Sequence, residues 1–452
     1  MSPSFSDRLH NAIPGGAHTY SRGDDQYPGN APQILSHGKG AYVWDPEGKK
    51  YLDYGMGLRS VTLGYAHPAV NAGAIAAIER GNNLTRPSLV ELEAAETMLS
   101  LFPWADMVKF AKNGSTVTTA AVKLARAFTG RSHVAVCAES PFFTFDDWFI
   151  GTTAVQRGIP DAHASLTLKF HYNDIASLER LFDEHPGRIA CVMMEPATTD
   201  PPCGLACGNA VAPGRCTRCT NGKGNFLQEA KALCHKNGAL FILDEMITGF
   251  RWDLHGAMDL YGVEPDLATF GKGMANGFAL AALVGKREIM DLGGIRKEGA
   301  ERVFLISTTH GSEMSAFGAF NATVGVYRSE PVTDGLWAYG RSLIEGLNSM
   351  AKDAGLAGHF EAHGFACSPV FTWRDKNGEG SLGLRTLFCQ EMIKGGVLMP
   401  FIALSTAHGP TELDMTLKAA HAAFHTCSLA VQEGLGKYLH GPIIKPVFRK
   451  HN

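Results

Sequence analysis

Ala239-Leu240-Phe241-Ile242-Leu243-Asp244-Glu245 is an apolar run closed by two carboxylates. It reads as a buried strand that delivers charge at its carboxyl end. Further along, Asp266-Leu267-Ala268-Thr269-Phe270 repeats the apolar pattern and runs into Gly271-Lys272-Gly273. A lysine by itself is most often a solvated loop residue. Paired with a buried carboxylate it means more. The amine can hold a cofactor aldehyde as a Schiff base, and the carboxylate can keep a pyridine nitrogen protonated so that the ring accepts electrons. Asp244 and Lys272 therefore point to pyridoxal phosphate (PLP), with Gly271 and Gly273 leaving room for a bulky ring beside the backbone.

Outward from this stretch, short apolar runs alternate with helical patterns. His133 to Cys137 and Ile189 to Met194 read as strands, and Thr116 to Thr129, Ile175 to Glu184 and Phe226 to Asn237 as helices. Nearly continuous apolar strands imply a sheet covered on both faces, hence mostly parallel strands with helical crossovers: an α/β fold. Asn237-Gly238 is a helix stop. Toward the start, Tyr42 to Tyr54 reads as a hairpin about Pro46-Glu47-Gly48. Beyond about residue 330 the pattern becomes helix, strand, helix, with Leu336 to Ala351, Ala366 to Trp373 and Thr411 to Glu433 as the segments. The expected organisation is a large domain over 71–330 and a smaller α+β domain assembled from 1–70 and 331–452.

A chain of 452 residues exceeds the size at which one core stops growing, so two domains are the default. A net charge of -3 and a charged fraction of 19% give no basic face for nucleic acid or anionic membrane. The partner expected is a small molecule. No apolar run approaches the ~20 residues of a membrane span, and Met1 to His10 lack the pattern of a secretory leader, which suggests a cytoplasmic enzyme with reduced thiols.

Two further clusters carry candidate chemistry. Asn113-Gly114-Ser115-Thr116 precedes an amphipathic helix, so its backbone N–H groups and hydroxyls suit a phosphate; an ordinary N-cap fits the same residues. Glu195, closing Met193-Met194-Glu195-Pro196, occupies a strand end like Asp244 and reads equally as a structural carboxylate. In the Cys-rich insertion of about 200–224, Cys203, Cys207, Cys216 and Cys219 have spacings that can close a tetrahedral structural zinc site, against free thiols in a loop.

These residues, in this order, resemble the class III, fold-type I PLP enzymes, and most closely the glutamate-1-semialdehyde 2,1-aminomutase group. The likeness runs through Pro14-Gly15-Gly16, Ala41-Tyr42-Val43-Trp44-Asp45, Gly64-Tyr65-Ala66-His67-Pro68, Leu124 to Arg131, and Leu243 to Arg251 followed by Lys272. The resemblance implies that Lys272 holds PLP and then moves protons as the free amine, while Asp244 binds the pyridinium nitrogen. It implies that Gly114, Ser115 and Thr116 hold the phosphate, with Thr308 or Thr309 reaching it across a homodimer interface, so that the active sites are shared. Phe142 falls where the family stacks an aromatic ring on the cofactor, although core packing explains a phenylalanine as well. Arg22 aligns with an arginine that grips a substrate carboxylate.

Around the substrate the pattern breaks. Phe142-Phe143-Thr144 replaces Tyr-His-Gly, Thr116 replaces an acidic residue, and Leu58, followed by Arg59, replaces a tryptophan. A carboxylate expected near Met399-Pro400-Phe401-Ile402 is missing. Lost polar partners beside a retained cofactor apparatus suggest the same chemistry on another substrate: transfer between an amino donor and a small carbonyl compound, with Arg22 and Arg59 as substrate-reading candidates. The alternatives are intramolecular amino exchange giving 5-aminolevulinate, and a non-catalytic binding or regulatory protein on the same fold.

Overall fold

The computed structural model describes residues 3–197, 199–202 and 224–452. Cys203, Cys207, Cys216 and Cys219 lie outside the described residues. The chain forms two compact units, one from 1–67 with 334–452 and one from 68–333.

The second unit is built on a seven-stranded sheet: β1 Met107–Ala111, β2 His133–Cys137, β3 Thr167–Phe170, β4 Ile189–Met194, β5 Leu240–Asp244, β6 Leu267–Phe270 and β7 Ala281–Gly285. Its order is β1-β7-β6-β5-β4-β2-β3. The pairs β6/β5, β5/β4, β4/β2 and β2/β3 are parallel, as the apolar runs predict. Strand β7 is antiparallel to both neighbours, and β1 therefore points the same way as β6. Every residue of β4 and β5 is buried, which fits a sheet with helices on both faces. Helix Gly114–Thr129 packs Val117, Ala121, Leu124 and Ala125 against the sheet core, stops at left-handed Gly130, and follows β1 directly. Among the described residues no helix is long and apolar enough to cross a membrane.

The first unit has a four-stranded sheet of His37–Lys39, Tyr42–Trp44, Lys50–Asp53 and Val397–Leu398. The expected hairpin is there, with Tyr42 opposite Leu52 and Gly48 N donating to the Asp45 carbonyl at 3.1 Å. A second hairpin, Phe360–Phe365 with Ser368–Trp373, packs rings onto helices Leu382–Lys394 and Pro410–Glu433. Phe360 meets Phe424 at 4.8 Å between centroids and Phe388 at 5.6 Å.

After Asp53 this unit contains an unusual turn. Met56, Gly57, Leu58 and Arg59 have φ of 40, 58, 61 and 69°, four successive left-handed residues of which one is glycine. Such geometry costs of order 1–3 kcal/mol per non-glycine residue and needs external support. Asp53, 4% exposed, supplies it: its carboxylate accepts from Gly55 N at 2.8 Å, Met56 N at 3.0 Å and the Tyr65 hydroxyl at 2.6 Å. Gly57 N in turn donates to the Tyr65 oxygen at 2.7 Å.

Candidate active site

Since β1, β4, β5 and β6 share a direction, their carboxyl ends lie along one edge of the sheet, where open α/β sheets place ligands. On that edge Gly114 and Ser115 follow β1, Glu195 follows β4, Asp244 ends β5 and Lys272 follows β6. The topology thus brings together most of the residues expected to meet a cofactor. Asp244 is paired in register with Thr269. Lys272 is half-buried and has φ 41°, a left-handed backbone at a non-glycine position that is often associated with functional sites.

Asp244 is 2% exposed. Burial pushes its carboxyl up to about 6, against the opposing effects of the Thr269 hydroxyl, the nearby Lys272 ammonium and the Met246 N–H. Thr269 Oγ1 donates to Asp244 Oδ1 at 2.8 Å, and Met246 N to the same oxygen at 3.1 Å. Both donors favour the ionised form. A buried carboxylate with one lysine in range is a site prepared for a second cation, and a protonated pyridine nitrogen meets that need.

Glu245, its neighbour, does different work. Completely buried, it accepts from the Thr248 hydroxyl, from Ala257 N at 3.0 Å and from Met258 N at 2.7 Å, which anchors the first turn of helix Gly256–Leu260. Burial pushes it up to about 7. Its three donors make it a structural carboxylate.

At the start of helix Gly114–Thr129, the Asn113 side chain accepts from Thr116 N at 2.9 Å and Thr116 Oγ1 at 3.1 Å. The N-cap therefore falls to Asn113, which leaves Gly114 and Ser115 as the residues that could meet an anion. Asn113 caps Thr116, while the first-turn N–H groups of Gly114 and Ser115 have no intrahelical partner by geometry. Ser115 Oγ accepts from Phe145 N at 3.1 Å, which leaves its proton to donate. Thr119, Asp146 and Trp148 pin the same loop: Thr119 donates to Asp146, and Trp148 Nε1 donates to Thr119 at 2.9 Å.

On that loop Phe143 is the core residue, 2% exposed, whereas Phe142 is 43% exposed and touches Phe149 edge-on at 5.9 Å. Glu195 is buried at 4%. Thr308 and Thr309 are exposed in a turn closed by Gly311 N donating to the Thr308 carbonyl at 3.0 Å. Lys112, just before Asn113, pairs with Glu313 at 2.6 Å and so ties the cradle to the chain beyond that turn. Arg22 and Arg59 both belong to the first unit. Arg22 lines a cavity of about 670 Å³ together with Leu58 and Tyr65; Arg59 stands over the Phe401 ring at 4.7 Å.

Two site residues escape sequence reasoning. Thr269 is one more member of an apolar strand until the register sets it beside Asp244. Met246 packs between two glycines: a Cβ on Gly114 would meet its Cε at 2.8 Å, and a Cβ on Gly271 would collide with its sulfur. The room at Gly271 is thus filled by a thioether. The glycines at the helix start and before the lysine, where any side chain would collide with Met246, are the signal that could have found it.

A buried aspartate and a lysine at neighbouring strand ends, facing a glycine-serine helix start on this sheet, define a fold-type I PLP-dependent transferase. The chain belongs to the aminotransferase class-III family, whose sequence profile matches residues 25–200 and 218–401. It is 32% identical over 445 residues to a glutamate-1-semialdehyde 2,1-aminomutase of Anaeromyxobacter sp. strain Fw109-5, covering 94% of this chain and 98% of that one. The FumI protein of Sphingopyxis sp. MTA144, solved in its PLP internal aldimine form, superposes with a TM-score of 0.81 at 27% identity, over 95% of this chain and 97% of the other. A glutamate-1-semialdehyde aminomutase of Pseudomonas aeruginosa PAO1 shares the fold with a TM-score of 0.76 at 19% identity, over 92% of each chain.

Proposed function

We propose that this enzyme transfers an amino group between a small amino donor and a small carbonyl acceptor, using PLP held by the unit 68–333. The observation that carries the reading is the pairing of a fully buried Asp244 with Lys272 on one sheet edge. PLP, when bound, supplies the aldehyde that takes the amino group and the ring that accepts electrons. The protein's own residues do the rest. Asp244 keeps a negative charge where a ring nitrogen must hold its proton, with Thr269 favouring that ionised form. Gly114 and Ser115 bind the phosphate, with Thr116 beside them as part of the cap. Phe142 offers an exposed ring face to the cofactor, and Glu195 walls the same edge. Lys272 would hold PLP through its amine, and that amine once released would be the base that takes up and returns the substrate proton.

Arg22 grips a substrate carboxylate, a contact suited to a guanidinium. Arg59, stacked on Phe401, is the weaker substrate candidate. The working form is a homodimer with shared sites: Thr308 and Thr309 are exposed, and the same unit exposes Ile75, Ile78, Leu89, Leu92 and Phe304, apolar surface that an interface would cover. Cys203, Cys207, Cys216 and Cys219 bind a structural zinc by their spacing, and the enzyme works in the cytoplasm. Identity of 32% to an aminomutase favours one second reading, intramolecular exchange on glutamate 1-semialdehyde.

Borohydride reduction of the PLP-loaded protein followed by peptide mapping locates the pyridoxyl group on Lys272 if the assignment holds; a label elsewhere overturns it. A panel of amino donors, scored by loss of the visible cofactor band, then identifies the first half-reaction. Turnover of glutamate 1-semialdehyde with no added donor or acceptor selects the second reading.

A further inference from the structure

Arg22 ends the short turn Tyr20–Arg22, which like Asp24–Gln26 buries no residue. Gly23 between them is buried and Tyr27 after them packs against the cluster of Val43, Tyr51, Ile393 and Leu398, while the turns themselves are held by polar tethers. Asp24 is held locally, by the Ser6 hydroxyl at 2.7 Å and His10 at 3.1 Å. The other tethers come from residues 440–449. Lys445 N donates to the Asp25 carbonyl at 2.9 Å, Gln26 Nε2 donates to the Lys445 carbonyl at 3.0 Å, and Arg449 Nη2 pairs with Asp25 Oδ2 at 2.5 Å. That ion pair is sheltered, with side-chain exposures of 24% and 29%.

The near end of the same segment is fixed to helix Leu382–Lys394. His440 N donates to Gln390 Oε1 at 2.8 Å and Ile444 N to Thr386 Oγ1 at 3.1 Å, and both acceptor residues are buried. Between these anchors Pro442, Ile443 and Lys445 line the cavity that holds Arg22 and Leu58. The segment thus runs from a buried helix, along the cavity wall, to the turns that carry Arg22.

We propose that residues 440–449 form a strap that positions Arg22 for a carboxylate-bearing substrate and walls the cavity that Arg22 lines, with Asp25 and Arg449 as its positioning residues. This rests on the reading of Arg22 as the carboxylate grip. A segment that fully buries none of its own residues opens at lower free-energy cost than the core, and a guanidinium that wanders loses the bidentate geometry on which carboxylate binding depends. Selectivity for acidic over neutral amines is then set partly by an ion pair outside the cofactor site.

The test uses the PLP-loaded enzyme, Arg449→Gln, a deletion of residues 446–452, the charge swap Asp25→Arg with Arg449→Asp, and Arg22→Gln. Hydrogen exchange of the peptide over residues 20–27 reports the strap itself. It should quicken about tenfold or more in Arg449→Gln and the deletion, recover in the swap and stay slow in Arg22→Gln. Bleaching of the cofactor band by β-alanine and by propylamine reports selectivity. The half-saturating β-alanine concentration should rise about tenfold in the first two variants and in Arg22→Gln, as expected for a lost charged hydrogen bond. Propylamine should be unaffected in Arg449→Gln, in the deletion and in the swap. Unchanged exchange in both strap variants overturns the proposal, and so does faster exchange with unchanged β-alanine saturation while Arg22→Gln raises it. If Arg22→Gln itself leaves β-alanine saturation unchanged, or β-alanine fails to bleach the wild-type enzyme, the reading of Arg22 fails and takes the strap's substrate role with it.

Discussion

Thr269→Val tests the electrostatic centre of the site with a small change. Valine keeps the β-branched shape that β6 favours and replaces the hydroxyl with a methyl group. The lost bond is the 2.8 Å donation to Asp244 Oδ1 between two buried residues. A hydrogen bond to a charged group contributes about 1.5–3 kcal/mol, all of it to ionised Asp244, so its removal raises that carboxyl by roughly one to two units. Starting from about 6, the variant's Asp244 titrates near or above neutrality. Since its pKa is raised above the unfolded value, Asp244 disfavours folding increasingly as pH climbs from the ordinary carboxylate range to the folded pKa. In the variant that loss continues to higher pH. Urea midpoints of the cofactor-free proteins should therefore nearly coincide at pH 5 and diverge by about 1.5–3 kcal/mol at pH 8.5. PLP affinity, followed by absorbance between pH 5 and 9, should show its acid limb displaced upward by one to two units. A difference between the proteins that is the same at both pH values, with an unmoved acid limb, refutes the argument.

Glu245→Gln places an amide NH₂ against backbone donors, so at pH 5 chemical denaturation should show a loss of about 1–3 kcal/mol. Because wild-type Glu245 titrates at about 7, the wild type itself weakens as pH rises toward neutrality, and the gap should narrow by pH 8.5. Ser115→Ala removes a phosphate donor and orphans Phe145 N; the dissociation constant for PLP, read by dialysis and absorbance, should rise about tenfold or more. Lys112→Met leaves Glu313 without its partner at 22% exposure. A drop of about 1–2 kcal/mol in thermal or urea stability is expected, with faster hydrogen exchange over residues 308–313.

The centre of this site was legible because position and chemistry coincide. Asp244 and Lys272 each close an apolar run, and in a parallel sheet the ends of such runs share an edge. Direction was less accessible: Ala281–Gly285 is as uniformly apolar as its parallel neighbours, and hydropathy does not record which way a strand runs. Thr269 matters only through register with the adjacent strand. The left-handed turn at Met56–Arg59 could not be read, since methionine, leucine and arginine are not residues that advertise positive φ; its cause lies in Asp53 and Tyr65. Arg22 and Arg59 look equivalent as isolated cations and differ once one faces a cavity and the other an aromatic ring. The expected helix start at Thr116 lies two residues inside the observed one because Asn113, not Ser115, accepts the capping bond.

Met246 gives the molecule a vulnerability of its own. Its sulfur lies against Gly271, one residue from the lysine, and its methyl group against Gly114 at the start of the phosphate cradle. Peroxide converts a thioether to a sulfoxide, adding a polar oxygen to a side chain chosen for softness. Met246 is only part-buried, so peroxide can reach it, and a polar oxygen placed where its sulfur meets Gly271 would disturb the ground on which both the helix start and the lysine rest.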